Sequence, residues 1–255
     1  MREKFELAKT AGFDAVELGG LNETGAVTPD MTDGDVRRLK SLFDETVPVH
    51  GMYAGDAWKL PLTSNDASVR QRGLDLMYRS IDVAVILGMS SLLIVPGAVT
   101  EDVSYGHAYD RAREALRKVA DRNSGSGLVL GIENVWNKFL LSPLEMARII
   151  DEIGNDDLGA YFDVGNILNY GYPEQWIRIL GQRVKRIHVK DFKGGGVSGA
   201  FMPLLAGDVP WDRVMTALHE IGYDSYITAE TSPFKHHPVE GAHQIARALD
   251  AIIAR

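Results

Sequence analysis

The chain has 255 residues, 45% of them hydrophobic, with a formal net charge of −8 and no cysteine. Such a length suffices for one full-sized domain over residues 1–255 with a sizeable core, and no Pro-, Ser- or Gly-rich linker divides it. The acidic balance argues against nucleic-acid and membrane partners, and the lack of cysteine excludes disulfides, thiolate metal sites and thiol nucleophiles.

The N-terminal stretch MREKFELAKTAGFDAVEL is charged and lacks the apolar core of a signal peptide. No apolar run approaches the length of a membrane span, so a cytoplasmic protein is expected. The stretch reads as a helix from Arg2 to Ala11, stopped by Gly12 and followed by a short apolar run, AVEL. The same unit returns as Leu87-Gly88 before SLLIVPG, Ile153-Gly154 before LGAYFDV, Leu180-Gly181 before VKRIHVK and Ile221-Gly222 before SYITAE. Each run is short and rich in β-branched residues, as in strands buried on both faces. Two more strands fit VPVHG at 47–51 and GLVLGIE at 127–133.

The helices between them carry start signals. Ser142-Pro143-Leu144-Glu145 offers an N-cap, a Pro at the first helical position and a Glu placed for a capping box, with Thr32 and Asp35 as a weaker version. Pro173, Pro210 and Pro238 open three further helices. Strands alternating with helices mean parallel βαβ units, and no GxGxxG follows the first strand to suggest a dinucleotide fold. The expected fold is α/β, a (β/α)8-type TIM barrel with seven visible strands and eight helices. Because the chain opens in a helix, the first strand of a complete barrel either lies outside these residues or is missing from an open barrel.

In such a barrel, chemistry gathers at the C-terminal strand ends. Four successive strands end in metal-capable residues: Glu133, Asp163, His188 and Glu230. Three carboxylates and an imidazole make an oxygen-rich site suited to one divalent ion, with Mn²⁺ favoured and Mg²⁺, Co²⁺ or Zn²⁺ admissible. Taken singly, each has a plain structural reading. Asp163 and Asn166 are placed to cap the helix that follows, and a lone His in an apolar strand is commonly a hydrogen-bonded core residue. Four such residues at four successive strand ends favour the metal site.

At these residues the chain resembles the xylose isomerase-like barrel superfamily, in its sugar phosphate isomerase/epimerase branch. The likeness is strongest over IENVWNKFLLSPLEMARIIDEIG, YFDVGNILNYGYPEQWIRILG, RIHVKDFK and GDVPWDRVMTALHEIGYDSYITAE. It implies that Glu133, Asp163, His188 and Glu230 bind one divalent metal and that Glu133 and Glu230 are acid/base groups on opposite sides of the substrate. It also implies a barrel strand ahead of the opening helix, and a homodimer or homotetramer as the assembly to look for. The chain departs from the free-ketose 3-epimerases at three places. Asn166 stands where they carry a substrate-contacting His, Phe139-Leu140 where they carry a further Glu, and their Arg after the metal His has no counterpart here. The apurinic endonucleases of this barrel need a His-rich three-metal site, which this acidic chain lacks.

The reaction implied is proton abstraction beside a sugar carbonyl through an enediolate, giving epimerisation or aldose–ketose isomerisation. Candidate contacts to a small sugar or sugar phosphate are Glu17 and His50, which end the first two visible strands, Trp136, Asn166, Lys190 and Lys193. The Gly194-Gly195-Gly196 turn with its lysines suits an anion such as phosphate, and equally an exposed loop. Two other readings stay open: a metal-dependent dehydratase of the inosose dehydratase type, and a non-catalytic sugar-binding barrel.

Overall fold

The computed structural model describes every residue except Gly55, Ala57, Gly196, Val197 and Pro233. Seven parallel strands form one sheet that curls into a nearly closed barrel. In chain order they are β1 (Val16–Leu18), β2 (Val49–Tyr53), β3 (Ser91–Ile94), β4 (Val129–Glu133), β5 (Leu158–Asp163), β6 (Val184–Val189) and, after a small hairpin, β9 (Ile227–Ala229). Each strand pairs with the next along the chain, so β1 and β9 are the two edges. All seven strands read from the sequence are present, but β2 runs two residues later than the expected 47–51, so His50 lies second in β2 and Glu17 in the middle of β1 instead of at the strand ends.

Helices α1 (Arg2–Ala11), α2 (Asp33–Glu45), α3 (Ala67–Leu87), α4 (Tyr105–Asn123), α5 (Pro143–Ile153), α7 (Pro173–Leu180), α8 (Trp211–Glu220) and α9 (Pro238–Ile253) surround the sheet. Neighbours pack on one another from α2 to α5, on through α7 and α8 to α9, and α9 packs on α1. Among the described residues none of them is long and apolar enough to cross a membrane. The strands are buried because helices cover their outer faces: all residues of β3 and β5 are buried. Gly88 and Gly154 end α3 and α5 in the left-handed conformation at φ 71° and 66°, the stop that the apolar-Gly repeat announces.

Two elements depart from the sequence reading. A one-turn helix, α6 (Val164–Ile167), follows β5 directly, making nine α-helices among the described residues. An antiparallel hairpin, β7 (Asp191–Lys193) with β8 (Ala200–Met202), projects after β6. Its anchor is the buried Asp191 carboxylate, which accepts the N–H of Phe192 at 2.9 Å and of Val209 at 3.2 Å. Neither device has a periodic signature, since each depends on one side chain bonding to a nearby backbone. Capping also differs in detail. Thr32 and Asp35 close a full reciprocal box, whereas Glu145 accepts the N–H of Leu141 instead of that of Ser142, held there by the Tyr105 hydroxyl.

Inside the barrel, register decides what meets what. Gly131 pairs with Gly159, and Glu133 with Tyr161. A Cβ on Gly131 would sit 2.7 Å from Cβ of Tyr161, so glycine there makes room for the Tyr161 side chain. Gly131→Ala is expected to overpack this layer and lower stability by about 1–3 kcal/mol. Urea unfolding measures it, and an unchanged midpoint would contradict the packing described.

Candidate metal centre

The four metal-capable residues meet at one end of the barrel. Glu133 closes β4, Asp163 closes β5, His188 lies next to last in β6, and Glu230 follows β9 directly. Register aligns them. Asp163 pairs with His188, Val189 pairs with Ala229, and the Glu230 N–H donates to the Val189 carbonyl at 3.0 Å. One ligand atom from each of the four lies within 4.8 Å of all the others. His188 Nδ1 stands 3.4 Å from Glu133 Oε1 and 3.6 Å from Glu230 Oε2.

Glu133, Asp163 and His188 are buried, whereas the Glu230 side chain is 54% exposed. Burial raises the Glu133 carboxyl above its usual range. It also pushes the Asp163 carboxyl up to about 7, with the Lys190 ammonium opposing and the Glu133 charge adding. Burial works against a charged His188, yet Glu17 and Glu133 outweigh it and hold the imidazole well above its ordinary value. Lys190 Nζ is 2.5 Å from Glu230 Oε2 and 3.3 Å from Asp163 Oδ2. Those carboxylates raise the Lys190 pKa against its own burial, so it stays an ammonium.

The residues present fit a divalent ion. Asp163 Oδ2 is buried and accepts no hydrogen bond, although Asp163 Oδ1 caps α6 by accepting the Asn166 N–H at 2.6 Å. The two readings of Asp163 therefore coexist, one on each oxygen. Three carboxylates around one imidazole form a donor set for a hard or borderline dication, which also offsets their mutual repulsion.

The other expected site residues fall into two groups. Glu17, Trp136, Asn166 and Lys190 line a cavity of about 730 Å³ together with Glu133, His188 and Glu230. The Trp136 indole N–H donates to the Asn166 carbonyl at 2.9 Å, and its ring stacks on Phe201 of β8 at 5.1 Å. His50 and Lys193 are not among the residues that line the cavity. His50 is buried against Tyr226, with Nε2 3.0 Å from the Thr228 hydroxyl, and burial lowers its pKa to about 4 despite Glu17 nearby. Lys193 is exposed on β7. In the Gly-rich turn the Gly194 N–H donates to Asp208, and Gly196 lies outside the described residues.

Some residues of the site had no sequence signal. Asn134 ties β4 to β5, its side chain donating to the Asp163 carbonyl and accepting the Asp163 N–H, both at 2.8 Å. Tyr161 donates its hydroxyl to Glu17 and packs its ring on that of His188 at 4.5 Å. Phe201 and Trp58 add aromatic surface to the cavity. The only advance hint was that Asn134 and Tyr161 adjoin or alternate with ligand positions.

The sequence profile of the xylose isomerase-like TIM barrel matches residues 5–253, and the chain belongs to that family. It is 28% identical to L-ribulose-5-phosphate 3-epimerase UlaE of Salmonella typhi, over 99% of this chain and 89% of that protein. Among solved structures it resembles D-psicose 3-epimerase with D-tagatose from Clostridium cellulolyticum H10, with TM-score 0.78 and 16% identity. That match covers 98% of this chain and 92% of the other. The IOLI protein with a bound zinc atom gives TM-score 0.84 at 14% identity, over 100% of this chain and 93% of the other. These structural likenesses show the shared fold.

The Asp163 shift has a consequence for stability. In metal-free protein the native carboxyl, at about 7, keeps a proton that the unfolded chain releases near 3.8. Stability from this group therefore falls as pH rises between those two values. The raised His188 acts in the same direction: its contribution is complete below 6.5 and is lost as pH rises through its higher native value. Chelator-treated protein is expected to unfold at lower urea at about pH 7.5 than at about pH 5, with the difference reduced in Asp163→Asn. Equal midpoints at the two pH values would contradict this account.

Proposed function

We propose that this chain is a divalent-metal-dependent epimerase of ketose sugars, with a phosphorylated pentulose as the first substrate to test. The observation that carries the proposal is the convergence of Glu133, Asp163, His188 and Glu230 within 4.8 Å at one end of the barrel, with Glu133, His188 and Glu230 lining a cavity large enough for a sugar phosphate. The named activities of the relatives favour a ketose, and the relative aligned in sequence acts by its name on a ketose phosphate.

Glu133 and Glu230 stand on β4 and just past β9, the outer two of four neighbouring strands, with Asp163 and His188 between them. A carboxylate on each flank suits inversion at one carbon: one takes the proton from one face and the other returns a proton to the opposite face. A bound dication supplies charge stabilisation for the neighbouring carbonyl oxygen as that proton leaves. Lys190, an ammonium that lines the cavity, adds a hydrogen-bond donor for a substrate oxygen or a phosphate. Trp136 and Phe201 offer an aromatic wall for the sugar carbons, and Asn166 a polar contact beside it.

The test is incubation with L-ribulose 5-phosphate and Mn²⁺ in deuterated water, followed by NMR. The expected result is the 3-epimer, labelled with deuterium at C3. Glu133→Gln and Glu230→Gln are each expected to lower kcat by roughly 10²–10⁴-fold while the protein stays folded. Loss of water from the substrate would replace this reading with a dehydratase. No exchange with any phosphorylated or free ketose, in protein shown to hold metal, would remove it.

A further inference from the structure

Glu17 was expected to touch sugar hydroxyls, but its carboxylate is already engaged inside the barrel. It sits in β1 at a register shift, where Val16 pairs with Val49 but Glu17 pairs with Gly51. The irregularity re-aims the side chain, as a bulge does. Its partner Gly51 packs against Ser91, whose hydroxyl a Cβ there would approach to 2.6 Å, and lies in ordinary contact range of Glu17 Oε2. The Glu17 side chain is 10% exposed, and Tyr161 donates its hydroxyl to Oε2. Glu17 Oε1 and Oε2 stand 3.3 and 3.4 Å from His188 Nε2.

The His188 ring thus lies between two sets of carboxylates. Nδ1 faces Glu133 and Glu230, and Nε2 faces Glu17. An imidazole that binds a metal through one nitrogen carries its proton on the other, and an acceptor for that proton sets the tautomer and ring orientation. Tyr161 braces both partners, its ring on His188 and its hydroxyl on Glu17.

We propose that Glu17 is a positioning residue of the metal centre: it accepts the Nε2–H of His188 and so presents Nδ1 to the ion held with Glu133, Asp163 and Glu230. The proposal rests on reading those four residues as a metal centre. It departs from a sugar-contact role, which would change KM for substrate and leave metal affinity alone.

The experiment has two readouts, neither of them turnover. Metal-free protein is titrated with Mn²⁺ alone, and the His188 ring is followed by long-range proton–nitrogen NMR in the Zn²⁺-loaded protein, assigned with His188→Asn. Glu17→Ala is expected to bind Mn²⁺ roughly 10–100-fold more weakly than wild type. Its His188 Nε2–H signal is expected to shift upfield or be lost to exchange with water. Glu17→Gln keeps a neutral acceptor, so its affinity is expected nearer wild type with a smaller upfield shift. It also decides the matter if Glu17→Ala does not fold. Wild-type affinity and an unmoved Nε2–H signal in either folded variant would overturn the role of Glu17. Wild-type protein that binds neither ion would overturn the metal centre itself, and the proposal with it.

Discussion

Taking the Glu133 and Asp163 carboxylates out of water beside a third, Glu230, at one end of a barrel is the constraint on which the rest of this structure depends. An uncompensated buried carboxylate costs several kcal/mol, and each like-charged neighbour adds to that. The protein meets the cost with positive charge from two side chains of β6 and the residue after it, His188 and Lys190. His188 stands within 3.4 Å of Glu133 and Glu17, and Lys190 bridges Asp163 and Glu230. Asp163 nevertheless keeps one buried oxygen without a hydrogen bond and a carboxyl raised to about 7 by burial. A carboxylate-rich cluster with one unsatisfied buried oxygen fits a divalent cation.

Holding such a site demands a rigid polar layer beneath it. Asn134 locks the ends of β4 and β5 together through paired bonds to the Asp163 backbone, and Asn166 donates to the Asn134 carbonyl at 2.9 Å. Below them Tyr161 fills the space left by Gly131 and reaches Glu17. Packing and polar satisfaction are one problem here. A glycine on one strand admits an aromatic ring from the next, and the hydroxyl of that ring steadies a carboxylate from a third. The mouth is then shaped by the hairpin, whose Phe201 stacks on Trp136 and lies 5.2 Å from the Lys190 ammonium.

The barrel, its seven strands and the four converging residues were all legible in the sequence. Buried parallel strands leave a strong local trace: short apolar runs, a glycine that stops the preceding helix, and an abrupt polar residue where each strand reaches the mouth. Four such residues on consecutive strands must meet, because neighbouring parallel strands place their C-terminal ends side by side. The α6 turn, the hairpin and the switched partner of Glu145 were not legible, because each rests on one side chain choosing among several nearby backbone groups. His50 shows the same limit. The sequence placed it at a strand end, but β2 runs on to Tyr53, and His50, second in the strand, meets Thr228 through Nε2 and stacks its ring on Tyr226.

What the sequence by itself determined is the order of the strands and the metal-capable residues near the ends of four of them, since both follow from local pattern and residue chemistry. Which nitrogen of His188 faces the carboxylates, which carboxylate meets its other side, and which charge Lys190 neutralises were decided only by the tertiary structure. Glu17 and His188 are 171 residues apart, and their contact depends on a register shift in β1 and on the curvature that brings the edges of the sheet toward one another. Distances across a barrel are set jointly by every strand pairing between the two residues. No local stretch of sequence encodes that sum.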